Sequence, residues 1–104
     1  MINWNRVNEL KDEIGEEDFS EVVELFILEV DEEITNLKSV DTAEGMKACF
    51  HFLKGCALNL GFSDLSEICQ TLETATSERR ATGSEIDAVI ACYDSSKVQF
   101  LAEA

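Results

Sequence analysis

The chain has 104 residues, enough for one domain, and carries 22 acidic residues against 8 basic ones for a formal net charge of −14. That balance excludes a DNA, RNA or anionic-membrane partner, each of which is held by clustered Lys and Arg. An apolar fraction of 45% with no proline excludes disorder and favours helices.

Trp4, Val7, Leu10 and Ile14 recur at helical spacing over residues about 3–14, and Gly15 offers a stop. A long helix follows over about 17–38. Its apolar stripe is Phe19, Val22, Val23, Phe26, Ile27, Val30, Ile34 and Leu37, and acids occupy most of its other faces. Asp41-Thr42-Ala43-Glu44 is a capping signal for a third helix over roughly 42–60, which Gly61 can close. Ser63 is a cap for a fourth over about 64–80, with Leu65, Ile68, Cys69 and Leu72 inward and Arg79 and Arg80 at its negative end. Ser84 then caps a fifth over about 85–102, with the stripe Ile86, Val89, Ile90, Tyr93, Val98 and Leu101. Four long amphipathic helices on short connections predict an all-α, antiparallel up-down-up-down bundle, with the short N-terminal helix packed across one end. No linker, repeat or low-complexity tract divides the chain, so residues 1–104 form a single domain on this reading.

No apolar stretch approaches the roughly 18 residues needed to span a bilayer, and the N-terminus lacks a signal-peptide apolar region, which makes the cytoplasm the expected compartment. Cys49, Cys56, Cys69 and Cys92 form no C-x-x-C pair and have a single histidine for company, so they are expected to be small core side chains and not a metal site. The strong negative charge is expected to keep the protein soluble and monomeric. The start at Met1, directly before a helix, suggests a free-standing protein; a piece of a larger hybrid kinase is the alternative.

The third helix holds the one histidine, in the run Cys49-Phe50-His51-Phe52-Leu53-Lys54-Gly55-Cys56-Ala57-Leu58-Asn59-Leu60-Gly61. At about 100° per residue, Met46, Cys49, Leu53, Cys56 and Leu60 cluster in a narrow arc that must face the core. His51 projects almost directly away from that arc, with Lys47, Lys54, Gly55 and Leu58 on its side and Phe50 and Phe52 at the two boundaries. Packing therefore does not explain the imidazole. A mid-helix glycine costs roughly 1 kcal/mol relative to alanine, so Gly55 needs a compensating reason. The face offers an accessible imidazole, a cation one turn on, clearance beside the ring and an apolar rim at Leu58.

This constellation resembles the histidine-containing phosphotransfer (HPt) domains of two-component phosphorelays. Their pattern is H-x-x-K-G with a further glycine six residues after the first, met here by His51, Lys54, Gly55 and Gly61. The segment Leu65-Ser66-Glu67-Ile68-Cys69-Gln70-Thr71-Leu72-Glu73 also looks like the one these domains carry next. Many relatives have a small hydroxyl residue directly after the lysine-glycine pair. This chain has Cys56, which should face inward with little effect on the chemistry.

The resemblance implies a phosphorelay intermediate. His51 would accept a phosphoryl group from a receiver-domain aspartyl phosphate and pass it to another receiver aspartate. Lys54 would stabilise phosphoryl charge, and Gly55 would give clearance for the receiver's approach. Phe52, Leu58, Phe62 and Phe50 are the candidate docking residues. The implied partners are response-regulator receiver domains and a hybrid histidine kinase. No cofactor is expected in this chain, and magnesium is expected on the receiver. With no P-loop and no kinase-type glycine-rich motif, the chain is expected to be a phosphocarrier and not an enzyme. Two other readings compete with this one. The first is an acidic helical bundle that binds receivers without phosphotransfer. The second is a hydrolytic or metal enzyme, for which a single histidine and outward-facing carboxylates give little support.

Overall fold

The computed structural model describes residues 2–103 and contains five helices: α1 (Trp4–Ile14), α2 (Glu16–Ser39), α3 (Ala43–Leu60), α4 (Ser63–Ala75) and α5 (Gly83–Glu103). The α2–α5 helices form an antiparallel ring in which α3 packs most extensively on α4, and the seam between α2 and α5 is the sparsest. The molecule measures 42 × 20 × 20 Å. The α1 helix lies at one end, where Trp4 stacks on Phe100 with centroids 5.9 Å apart and the Asn3 N–H donates to the Gly61 carbonyl at 2.6 Å.

Local chemistry explains most boundaries. Asn3 caps α1 through its side-chain oxygen on the Arg6 N–H, and Gly15 ends it. Glu16, Glu17 and Asp18 open α2, where their charge favours the positive end of the helix dipole. Thr42 caps α3 by accepting from the Gly45 N–H at 3.0 Å.

Three expectations are corrected. The fourth helix stops at Ala75 and not near 80, because the buried Thr76 turns its hydroxyl onto the Leu72 carbonyl (2.7 Å) and the chain tightens into i→i+3 turns at Ser77 and Glu78. Arg79 and Arg80 therefore lie beyond the helix. Arg79 reaches forward to clamp Glu85 with two N–H bonds, at 2.8 and 2.9 Å. Neither predicted serine occupies a cap position. The residue before α4 is Phe62, whose carbonyl accepts from Ser66, and Ser63 is the first helical residue. A reciprocal capping box opens α5: Thr82 Oγ1 accepts from the Glu85 N–H, and Glu85 Oε1 accepts from the Thr82 N–H.

The third correction concerns the stripe of α5. Val98 and Leu101 are exposed, and Ser96 and Phe100 take the core positions. From Tyr93 the helix returns to the same face at +3 and +7, whereas +5 is turned roughly 140° away. Phe100 and Tyr93 close on Phe62 with centroids at 5.5 and 6.4 Å, forming a buried aromatic cluster towards the α1 end of the bundle.

The arc Met46, Cys49, Leu53, Cys56 and Leu60 is buried as its spacing requires, Cys56 included. Phe50 and Ala57 are buried with it, because α3 is contacted by α1, α2 and α4 and so hides a wider sector than one stripe. Cys49, Cys56 and Cys69 are buried free thiols, and burial pushes Cys49 and Cys69 up to about 12.

Candidate functional site

The α3 helix holds the His51 side chain out of the bundle, 69% exposed. Its ring is nevertheless fixed. Nδ1 lies 3.0 Å from Oε2 of Glu73, one helix away on α4. An ionised carboxylate can only accept, so Nδ1 carries the hydrogen and the neutral ring keeps its lone pair at Nε2.

Glu73 also meets Lys54, whose Nζ is 2.8 Å from Oε1 and donates to Gln70 Oε1 at 3.0 Å. The Lys54 ammonium, followed by the His51 ring, holds the Glu73 carboxyl below the ordinary carboxylate range against the opposing effect of partial burial. One carboxylate thus bridges the two residues the sequence singled out. Lys54 is not a free ammonium above the ring: it is folded back on α4 and mostly buried. Lys47, farther up the same face, donates to Ser77 Oγ.

Gly55 is exposed, and a Cβ built there would meet nothing within 4 Å. No neighbouring helix presses on it, so internal packing gives no reason for a glycine. Beside it runs a shallow groove between α2 and α3, bordered by Phe26, Glu29, His51 and Phe52. Phe26 and Glu29 also border a second hollow with Val22 and Leu25, so the apolar surface next to His51 continues onto α2.

Phe52 and Leu58 are exposed, at 40% and 57%. Phe50 and Phe62 are fully buried and have no surface to offer a partner. Phe62 belongs to the buried aromatic cluster with Tyr93 and Phe100, and Phe50 falls inside the widened buried sector of α3. Both are corrected from docking to core residues.

Sequence reading missed Glu73, Gln70 and the α2 contribution. Gln70 and Glu73 stand three apart on α4, beside the apolar stripe of Leu65 and Leu72, which marks them as a polar pair at a helix boundary. That they face His51 follows only from the α3–α4 packing. Among the described residues, no group of His, Cys, Asp or Glu is arranged to hold a metal ion, and no helix is long and apolar enough to cross a membrane.

The family model for the Hpt domain matches residues 21–99, a span that includes all of α3 and α4 and most of α2 and α5. The chain belongs to the Hpt domain family, the histidine phosphotransfer modules of two-component phosphorelays, which carry phosphoryl groups and are not enzymes. No curated protein and no solved structure matches it.

Proposed function

We propose that this protein is a cytoplasmic phosphorelay intermediate whose phosphoacceptor is Nε2 of His51. The observation that carries this reading is the exposed imidazole tied through Nδ1 to Glu73. Neutral imidazole is a nucleophile at physiological pH, and phosphoryl transfer asks mainly for in-line positioning and charge stabilisation.

In the forward step, Nε2 bonds to phosphorus as the bond from phosphorus to the receiver's aspartyl oxygen breaks, and the aspartate leaves as a carboxylate. The ring becomes positive while Nδ1 keeps its proton against Glu73, whose negative charge stabilises the cation. Transfer to a second receiver reverses these steps. Lys54 exchanges its Glu73 and Gln70 contacts for the phosphoryl oxygens. Magnesium belongs to the receiver, where it supplies charge neutralisation. Gly55 leaves room for the receiver's loops, and Phe52 and Leu58, with Phe26 and Leu25 of α2, supply an apolar rim for a small transient interface.

Incubation with receiver domains carrying labelled aspartyl phosphate tests the reading. Acid-labile label should appear on the wild type and not on His51→Gln. Label retained by His51→Gln refutes the assignment. Receiver binding with no transfer to the wild type would mark a pure interaction module.

A further inference from the structure

The α2–α5 seam carries a second groove that the relay chemistry does not use. In the ring of helices it lies across from the α3–α4 pair that presents His51 and Glu73. Two hollows share Val23, Glu24 and Leu101, so they form one groove along α2 from Glu16 to Asp31, roughly 22 Å at 1.5 Å per residue. Val23 and Ile27 form its floor. Its walls are Leu28 and Leu101, which remain 55% and 59% exposed.

Nothing in the bundle accounts for these leucines. Leu28 is turned well away from the buried stripe of α2, and Leu101 lies off the buried face of α5. The rim is acidic. Glu16 and Glu24 are exposed and form no ion pair among the described residues. The two bases nearby are engaged, Lys97 with Asp31 at 3.4 Å and Lys11 over the Phe19 ring at 5.1 Å.

We propose that this groove is a docking site for a basic amphipathic helix of a partner protein, separate from the phosphotransfer face. The groove is about four turns long, and its apolar middle from Phe19 through Val23 and Ile27 to Leu28 matches the stripe of such a helix, with acids at both ends to meet basic flanks. Unpaired acids on a chain of net charge −14 select basic flanks and oppose a second copy of the same chain.

The probe is a synthetic Leu/Lys amphipathic peptide about four helical turns long, titrated into the 15N-labelled protein. A Ser-for-Leu peptide of equal charge is the control. The expected result is saturable binding with amide shifts centred on Val23, Ile27, Leu28 and Leu101. The double variant Leu28→Ser, Leu101→Ser should weaken it at least about tenfold, and His51→Gln should leave it unchanged. Because the readout is binding and not transfer, the outcome is independent of the relay assignment. Shifts spread over the acidic surface or centred on His51, equal binding of the Ser peptide, or indifference to the double variant would overturn the proposal. So would wild-type self-association that the double variant abolishes, since a second copy would then be the occupant.

Discussion

A methyl group added at Gly61 would lie 2.7 Å from the Asn3 carbonyl oxygen at a residue with φ of +79°, whereas one added at Gly55 would meet nothing within 4 Å. The two glycines of the motif therefore answer to different demands. Gly61 is fixed by the fold, through its left-handed turn and the N-terminal segment lying against it. Gly55 sits mid-helix with no internal reason, which is in keeping with the proposed clearance for a receiver. Gly55→Ala should raise thermal stability by up to about 1 kcal/mol while slowing transfer from a phosphorylated receiver; paired melting and transfer measurements check this, and an unchanged transfer rate would contradict it. Gly61→Ala should lower stability by about 1–2 kcal/mol or more. Glu73→Ala should slow transfer with little loss of helicity, since it frees the His51 ring and releases Lys54. A wild-type rate would mean that the bridge does not orient the histidine. His51, Lys54 and Gly55 were legible in the sequence because they lie within two turns of one helix. Glu73 was not, because its place beside the ring depends on how α4 packs against α3.

At the scale of the elements, the start of α5 rests on charge. The Arg79 clamp, then the Thr82 N–H, hold Glu85 at about 2, well below the ordinary carboxylate value. A depressed carboxyl stabilises the folded state above its unfolded value and loses that contribution as pH falls through the folded one. The gap in melting temperature between wild type and Glu85→Gln should therefore be full above pH 4.5, the ordinary value, and close as pH falls towards 2. A gap that does not change with pH would contradict the role given to the clamp. This device was hidden in the sequence because Thr82-Gly83-Ser84-Glu85 offers two hydroxyls as caps. The register that places Glu85 third after the cap selects Thr82. The early end of α4 was hidden for a related reason. Arg79 and Arg80 look like a favourable helix terminus, but a buried Thr76 turns the chain first.

For the whole molecule, the bundle was legible because four apolar stripes on short connections have few ways to bury one another. The sequence does not say which helices become neighbours. That pairing puts Phe26 and Leu25 of α2 beside the histidine face and leaves Leu28 and Leu101 uncovered at the opposite seam. Folding and docking separate at Leu58, which is exposed and outside the core. Leu58→Asp should melt like the wild type yet weaken transfer from a receiver about tenfold, the scale of one lost apolar anchor. Unchanged transfer kinetics in the folded variant would remove Leu58 from the docking rim.

Phosphorylation at Nε2 can be observed directly, because His51 is the only histidine in the chain. A 15N-histidine sample phosphorylated by a receiver gives one pair of ring nitrogens to observe by NMR. Phosphorus coupling is expected at Nε2, with Nδ1 still protonated. Phosphorus on Nδ1, or label on the protein with no phosphohistidine present, would contradict it.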